Sequence, residues 1–289
     1  MTGNNKNNLK FVFFGTPDVA SETLEILKQS DYLPSLIVTA PDRPSGRKMI
    51  LTPPPVKTWA IENNIPYIQP EKLNELTSPP TPPSLAGEGG FDLYIVVAYG
   101  KIMPEDLIKD PKLGSINIHY SLLPKYRGAS PVESAVLNGD KVTGITIQQM
   151  KYKMDSGPIL AKEEVKIGGT ETAPELKKRL IKIGGELLVK MLPEFIEGRI
   201  TPVLQDEAVA TFCKKIKKED GQVDSEKESS ETLYNKFRAY ANWPRIFYFD
   251  EKRKRIIISD AILENNNFVI RKVIPEGRKE IAWEEYNRE

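Results

Sequence analysis

The chain has 289 residues, 39% of them hydrophobic, with 41 Lys and Arg against 40 Asp and Glu for a formal net charge of +1. At roughly 100 to 200 residues per domain, that supports about two packed domains and excludes a chain disordered throughout. The balanced charge gives no global field for nucleic acid, so RNA contacts must come from local patches. The single cysteine, Cys213, excludes a disulfide framework and a Cys-based zinc site, and fits a reducing compartment. The single histidine, His119, leaves zincin motifs and multi-histidine centres without ligands. No metal is expected, and imidazole chemistry has one place to occur. The polar opening MTGNNKNNLK runs into FVFFG, far short of the ~20 residues of a membrane span. A cytoplasmic protein without a membrane anchor is expected.

Residues 9–14 read as a buried first strand closed by Gly15. Thr16 then stands as a cap before Pro17 at the first helical position, and Val19, Leu24, Ile26 and Leu27 share one helical face. Residues 36–39 (LIVT) and 91–98 (FDLYIVVA) are predicted strands, the second apolar enough to be central. Residues 41–55 carry five prolines and are predicted to be irregular, a loop holding Arg43, Arg47 and Lys48. Residues 77–90 (TSPPTPPSLAGEGG) read as a surface insertion. Further strands are expected at 115–119 (SINIH), 144–150 and 159–167. Helices should follow Pro131, where Ser130 and Glu133 fit a capping box, and Thr172, where Glu175 completes another. Strands alternating with helices predict βαβ units and a mostly parallel sheet.

The periodicity breaks at 198–207, and lysines then cluster at Lys214, Lys215, Lys217 and Lys218 and again at 252–255. A helix is expected at 230–240, with strands at 246–249, 255–259 and 268–273, a pattern suggesting a small β-barrel of the OB type. The expected organisation is a disordered N-terminus (1–9), an α/β Rossmann-like domain (10–197, with the 77–90 insertion), a linker (198–211) and a β-rich domain (212–289).

Asn117 and His119 lie two apart on a predicted strand, so both side chains point to one face near its carboxyl end, where open α/β sheets place their ligands. An amide donor and a protonated imidazole together suit an oxyanion developing on a carbonyl. Asp155, in the turn of KMDSGPIL, is the candidate carboxylate to orient the imidazole. The competing reading makes Asn117 a satisfied core amide and His119 a packed histidine. There is no G-x-G-x-x-G and no P-loop, so dinucleotide binding and NTP hydrolysis are poorly supported.

FFGTPDVA, APDRPSGR, VVAYGKIMP, GSINIHYSLLPKYRGASPV, GITIQQM and MDSGPIL occur in the order and approximate spacing of the methionyl-tRNA formyltransferases, which the chain resembles from about Lys10 to Trp243. PDRPSGR and Asn242-Trp243-Pro244 favour that family over glycinamide ribonucleotide formyltransferases, which lack a comparable second domain. The resemblance implies formyl transfer from 10-formyltetrahydrofolate to methionine on initiator tRNA, with Asn117, His119 and Asp155 catalytic. It implies that Ser121, Leu122, Leu123 and Pro124 line the folate site, with Ile102 and Met103 packing on the pterin. Arg47 and Lys48 would contact tRNA, and the second domain, shortened relative to the family, would add a basic surface. A monomer is expected. Tyr120 stands where the family often has glycine, which raises the question of access to the site. Two alternatives remain: an amino-sugar-nucleotide formyltransferase, and an inactive relative that only binds RNA or folate.

Overall fold

The computed structural model describes residues 9–46, 49–73 and 90–288. The expected disordered start before residue 9, Arg47 and Lys48, and the insertion through residue 89 lie outside the described residues.

β1 (Phe11–Gly15) is five consecutive buried residues, as an apolar run without alternation requires. α1 (Asp18–Gln29) buries Val19, Ala20, Thr23, Leu24 and Leu27. The predicted threonine cap is not made. Pro17 holds the cap position without a side-chain bond, and Thr16 Oγ1 instead donates to the Tyr99 carbonyl at 3.2 Å. After β2 (Leu36–Val38), β3 (Arg43–Ser45) and β4 (Ile50–Thr52) pair antiparallel, with Pro44 opposite Leu51. The segment expected to be irregular therefore holds a hairpin. A two-stranded ribbon leaves half of each strand's N–H groups unpaired, so a proline is tolerated there. Pro55 opens α2 (Pro55–Glu62), where its missing N–H is no loss.

β5 (Tyr67–Ile68), β6 (Leu93–Val97), α3 (Glu105–Lys109), β7 (Ser115–His119) and β8 (Arg127–Gly128) follow. At α4 (Pro131–Leu137) the predicted box stays open, because Ser130 makes no side-chain capping bond. β9 (Val142–Gln149) and β10 (Ile159–Lys166) lead to α5 (Ala173–Ile196). Here the Glu175 carboxylate folds back on Thr172, accepting from its N–H at 2.9 Å and its hydroxyl at 2.7 Å. β11 (Phe212–Cys213), α6 (Ser230–Ala239), β12 (Phe247–Phe249), β13 (Arg255–Glu264), β14 (Asn267–Pro275), β15 (Ile281–Ala282) and α7 (Trp283–Tyr286) complete the order.

The chain divides into two compact units. The first takes in Met1–Pro124, Ile145–Glu163 and Leu180–Ala210. It is built on a seven-stranded sheet of order β10-β9-β7-β6-β1-β2-β5. β7, β6, β1, β2 and β5 pair parallel, and β9 pairs antiparallel to β7. The second unit takes in Lys125–Gly144, Glu164–Arg179 and Thr211–Glu289. It contains the short parallel pair of β8 and β11, α4 packed on α6, and an antiparallel sheet of order β12-β13-β14-β15 on which α6 rests. β13 and β14 run longer than the sequence predicts, each supporting the other through a ladder from Ile256 opposite Pro275 to Glu264 opposite Asn267 that is interrupted by a register shift around Asp260. The β-rich C-terminal part is thus a four-stranded antiparallel meander, with no pairing between β12 and β15 among the described residues. No helix among those residues is long and apolar enough to cross a membrane.

Candidate active site

β7 carries Asn117 and His119 to the carboxyl end of the parallel strands. Its register places Asn117 beside Val96 of β6 and opposite Gln148 of β9, and His119 opposite Thr146. Directly opposed residues of an antiparallel pair project to the same face. Asn117, His119, Thr146 and Gln148 therefore form one polar group on a single face of β7 and β9. The opposite face carries Ile118, Tyr120 and Ile145, which lie against Gly184 of α5, where an added Cβ would stand 3.3 to 3.4 Å from all three. Tyr120 is 7% exposed on that side, so its ring leaves the histidine face open.

Two backbone groups fix how the amides point. The Val96 carbonyl can only accept, so the end of Asn117 3.0 Å from it is Nδ2. Asn117 Oδ1 then faces Gln148 Nε2 at 3.4 Å, and the same Nε2 donates to Asp155 Oδ1 at 3.1 Å. The Gly157 N–H can only donate, and it meets Gln148 Oε1 at 3.1 Å. Both anchors give the same orientation, which leaves the second Nδ2 hydrogen of Asn117 for another acceptor.

Asp155 lies in the turn between β9 and β10 with φ +50°, a left-handed conformation uncommon for a residue with a side chain. That bend aims its carboxylate back at β7, where Oδ2 is 3.7 Å from His119 Nδ1. The separation exceeds a direct hydrogen bond and is within ion-pair reach, with both side chains largely buried. Two residues on, Gly157 approaches β9 so closely that a Cβ would run into the Gln149 carbonyl oxygen. Gln205 holds the turn from the other side, its Nε2 donating to the Asp155 carbonyl at 2.9 Å and the Gly157 carbonyl at 2.7 Å. On the same sheet edge, the turn after β6 stores strain at Ala98, φ +47°. In that turn burial pushes the Tyr99 phenol up to about 12.

The SLLP turn follows β7 and is tied to β9 by Thr146. Its Oγ1 donates to the Ser121 carbonyl at 2.7 Å and accepts from the Leu123 N–H at 3.0 Å. Ser121 and Leu123 are buried, while Leu122 and Pro124 are half-buried. Ile102 and Met103, predicted together, part company. Met103 is 3% exposed in an apolar cluster with Tyr99, Leu107 and Ile108, whereas Ile102 is 81% exposed. Arg47 and Lys48 lie outside the described residues. Lys214, Lys215, Lys217 and Lys218 are exposed, and Arg255 of the second basic cluster is committed to the Phe247 ring at 4.1 Å.

Sequence reasoning missed Gln148 and Gln205. The signal for Gln148 was present: in GITIQQM it alternates with Ile145 and Ile147, a buried amide on the polar side of an apolar strand. Gln205 sits in a segment without periodicity and gave none. Among the described residues no group of three or more His, Cys, Asp or Glu could hold a metal ion. An amide N–H, an imidazole and a carboxylate on one face can polarise a carbonyl, hold negative charge on its oxygen and move a proton.

The chain is similar to known proteins in sequence and in fold. The formyl transferase family matches residues 9–192, and the formyl transferase C-terminal domain matches residues 215–278. A methionyl-tRNA formyltransferase of Staphylococcus epidermidis is 39% identical over 254 residues, 88% of this chain and 80% of the relative. One of Bacillus licheniformis is 43% identical over 235 residues, 81% and 73% of the two chains. Among solved structures, a methionyl-tRNA formyltransferase from Clostridium thermocellum superposes with a TM-score of 0.59 at 17% identity, covering 92% of this chain and 98% of the other. An N-formyltransferase from Helicobacter canadensis, in complex with folinic acid and dTDP-3-aminofucose, gives 0.68 at 19% identity, covering 95% and 98%. At such identities the structures establish the fold. The family models and the sequence relatives establish more: the chain belongs to the methionyl-tRNA formyltransferase family.

Proposed function

We propose that this chain transfers the formyl group of 10-formyltetrahydrofolate to the α-amino group of methionine on initiator tRNA, acting in the cytoplasm as a monomer. The observation that carries the reading is the Asn117 amide, which retains one N–H on the face it shares with the His119 imidazole. The amine attacks the formyl carbon, and the carbonyl oxygen takes up the negative charge. The remaining Asn117 Nδ2–H and an N–H of the His119 imidazole stabilise that oxyanion, and Asp155 orients the ring. Collapse breaks the bond from carbon to N10. The amine nitrogen gives up a proton, N10 gains one, and the products are a formamide and tetrahydrofolate.

The half-buried Leu122 and Pro124, with Ser121 and Leu123 behind them, suit one side of a flat heterocycle. Exposed Ile102 offers further apolar surface, while Met103 supports the turn from below. Arg47 and Lys48, and the exposed lysines at 214–218, supply charge for RNA phosphates. Each phosphate contact contributes about 0.7 to 0.9 to the salt slope of binding.

The test is mass spectrometry of the aminoacyl group after incubation with 10-formyltetrahydrofolate and methionine-charged initiator tRNA. Formylmethionine should accumulate over many turnovers. Its absence, with formylation of an amino-sugar nucleotide in its place, would overturn the reading in favour of the sugar enzymes.

A further inference from the structure

We propose that Gln148 is a positioning residue for the transfer reaction, one that orients the Asn117 amide and the Asp155 carboxylate at the same time. This rests on the function proposed above. Gln148 is 2% exposed, and both ends of its side chain are committed. Nε2 donates to Asn117 Oδ1 at 3.4 Å and to Asp155 Oδ1 at 3.1 Å. Oε1 accepts from the Gly157 N–H at 3.1 Å and from Gln205 Nε2 at 3.3 Å.

The polarity of this chain matters more than its packing. Asn117 presents a donor to substrate only if its Oδ1 is turned away, and Gln148 supplies the donor that Oδ1 needs. Asp155 presents Oδ2 to His119, 3.7 Å away, while its Oδ1 is held by the same amide. Gln148 touches no reacting atom in this scheme and acts only through Asn117 and Asp155. A misplacement on the order of 1 Å in such groups costs up to about 10²-fold in rate.

Two replacements of similar length separate donor from shape. Gln148→Met keeps the volume and removes the donor. Gln148→Glu keeps the acceptor facing Gly157 but turns a second acceptor on Asn117 Oδ1 and the Asp155 carboxylate. With initiator methionyl-tRNA and 10-formyltetrahydrofolate, kcat should fall roughly tenfold for Met and roughly 10²-fold for Glu. Both KM values should stay within about twofold, since neither binding surface is touched. A Met variant retaining more than half the wild-type kcat, or a Glu variant no worse than Met, would overturn the inference.

A second readout does not depend on turnover. His119 is the chain's single histidine, so its ring resonances are identified without assignment. They should move in folded Gln148→Met as Asp155 loses its hold, and unmoved resonances would overturn the inference. If wild-type protein formylates no methionyl-tRNA, the proposed function fails, while the His119 signal still decides whether Gln148 holds the group.

Discussion

β6 and β7 are neighbours in register, and both are almost wholly buried, yet they are built on opposite principles. Every residue of Leu93–Val97 is buried, and the one polar side-chain group, the Tyr94 hydroxyl, donates to Asp110 at 2.6 Å. Ser115–His119 places polar side chains at every second position of a strand buried at every residue but Asn117, which is half-buried. Beyond the Tyr94 hydroxyl, the first strand needs only its backbone ladder and apolar contact. The second needs a named partner for each polar group: the Ile108 carbonyl for Ser115 at 2.7 Å, Val96 and Gln148 for Asn117, and Asp155 for His119. Burial without partners costs stability, so β7 depends on partners from several other segments of the chain in a way that β6 does not.

That contrast can be broken from either side. Ile95 of β6 is fully buried, and Ile95→Ala should cost about 2 to 5 kcal/mol in urea unfolding. The turnover of the remaining folded molecules should stay within about twofold. A loss of turnover matching the loss of stability would show that β6 and β7 do not divide the labour as described.

Thr146→Val removes the hydroxyl that joins the Ser121 carbonyl and the Leu123 N–H, leaving two groups of the SLLP turn without this partner. It should cost about 1 to 3 kcal/mol, and it should raise the KM for the folate donor. An unchanged KM would detach the turn from the folate site.

The smallest effect belongs to Glu175, at the start of α5. The Thr172 N–H, and then its hydroxyl, hold that carboxylate below its usual range. A depressed folded pKa contributes stability that is present above the unfolded value of about 4.3 and is lost as pH falls through the folded one. Glu175→Gln should therefore be less stable than wild type at pH 7, with the gap closing in acid. A gap that persists at pH 2 would assign the effect to packing.

The strands of the sheet and the pair Asn117 and His119 could be read directly, because uninterrupted apolar runs and a two-residue spacing are local signals. What could not be read depends on a partner remote in sequence. Thr16 and Ser130 have the residue types of helix caps, but the Thr16 hydroxyl is bonded to Tyr99, a choice that only the tertiary fold makes. The hairpin at 43–52 was hidden by its prolines, which exclude a central strand but not an isolated ribbon. Gln148 was visible as a residue but not as a partner, because the register of β9 against β7 decides that it faces Asn117. The parting of Ile102 and Met103 follows from a turn whose course no periodicity records.

The most direct test of the account is the rate of formyl transfer by Asn117→Ala and His119→Ala, measured in a single turnover with both substrates saturating and beside urea unfolding of each variant. Each should lose roughly 10²-fold in rate, the size expected when an oxyanion donor is removed. Each truncation also leaves a buried partner without its bond, which should cost about 1 to 3 kcal/mol, so the rate is read on molecules that the unfolding curve shows to be folded. A folded variant that keeps more than half the wild-type rate would contradict the account, and would place that side chain among the satisfied polar groups of an ordinary buried strand.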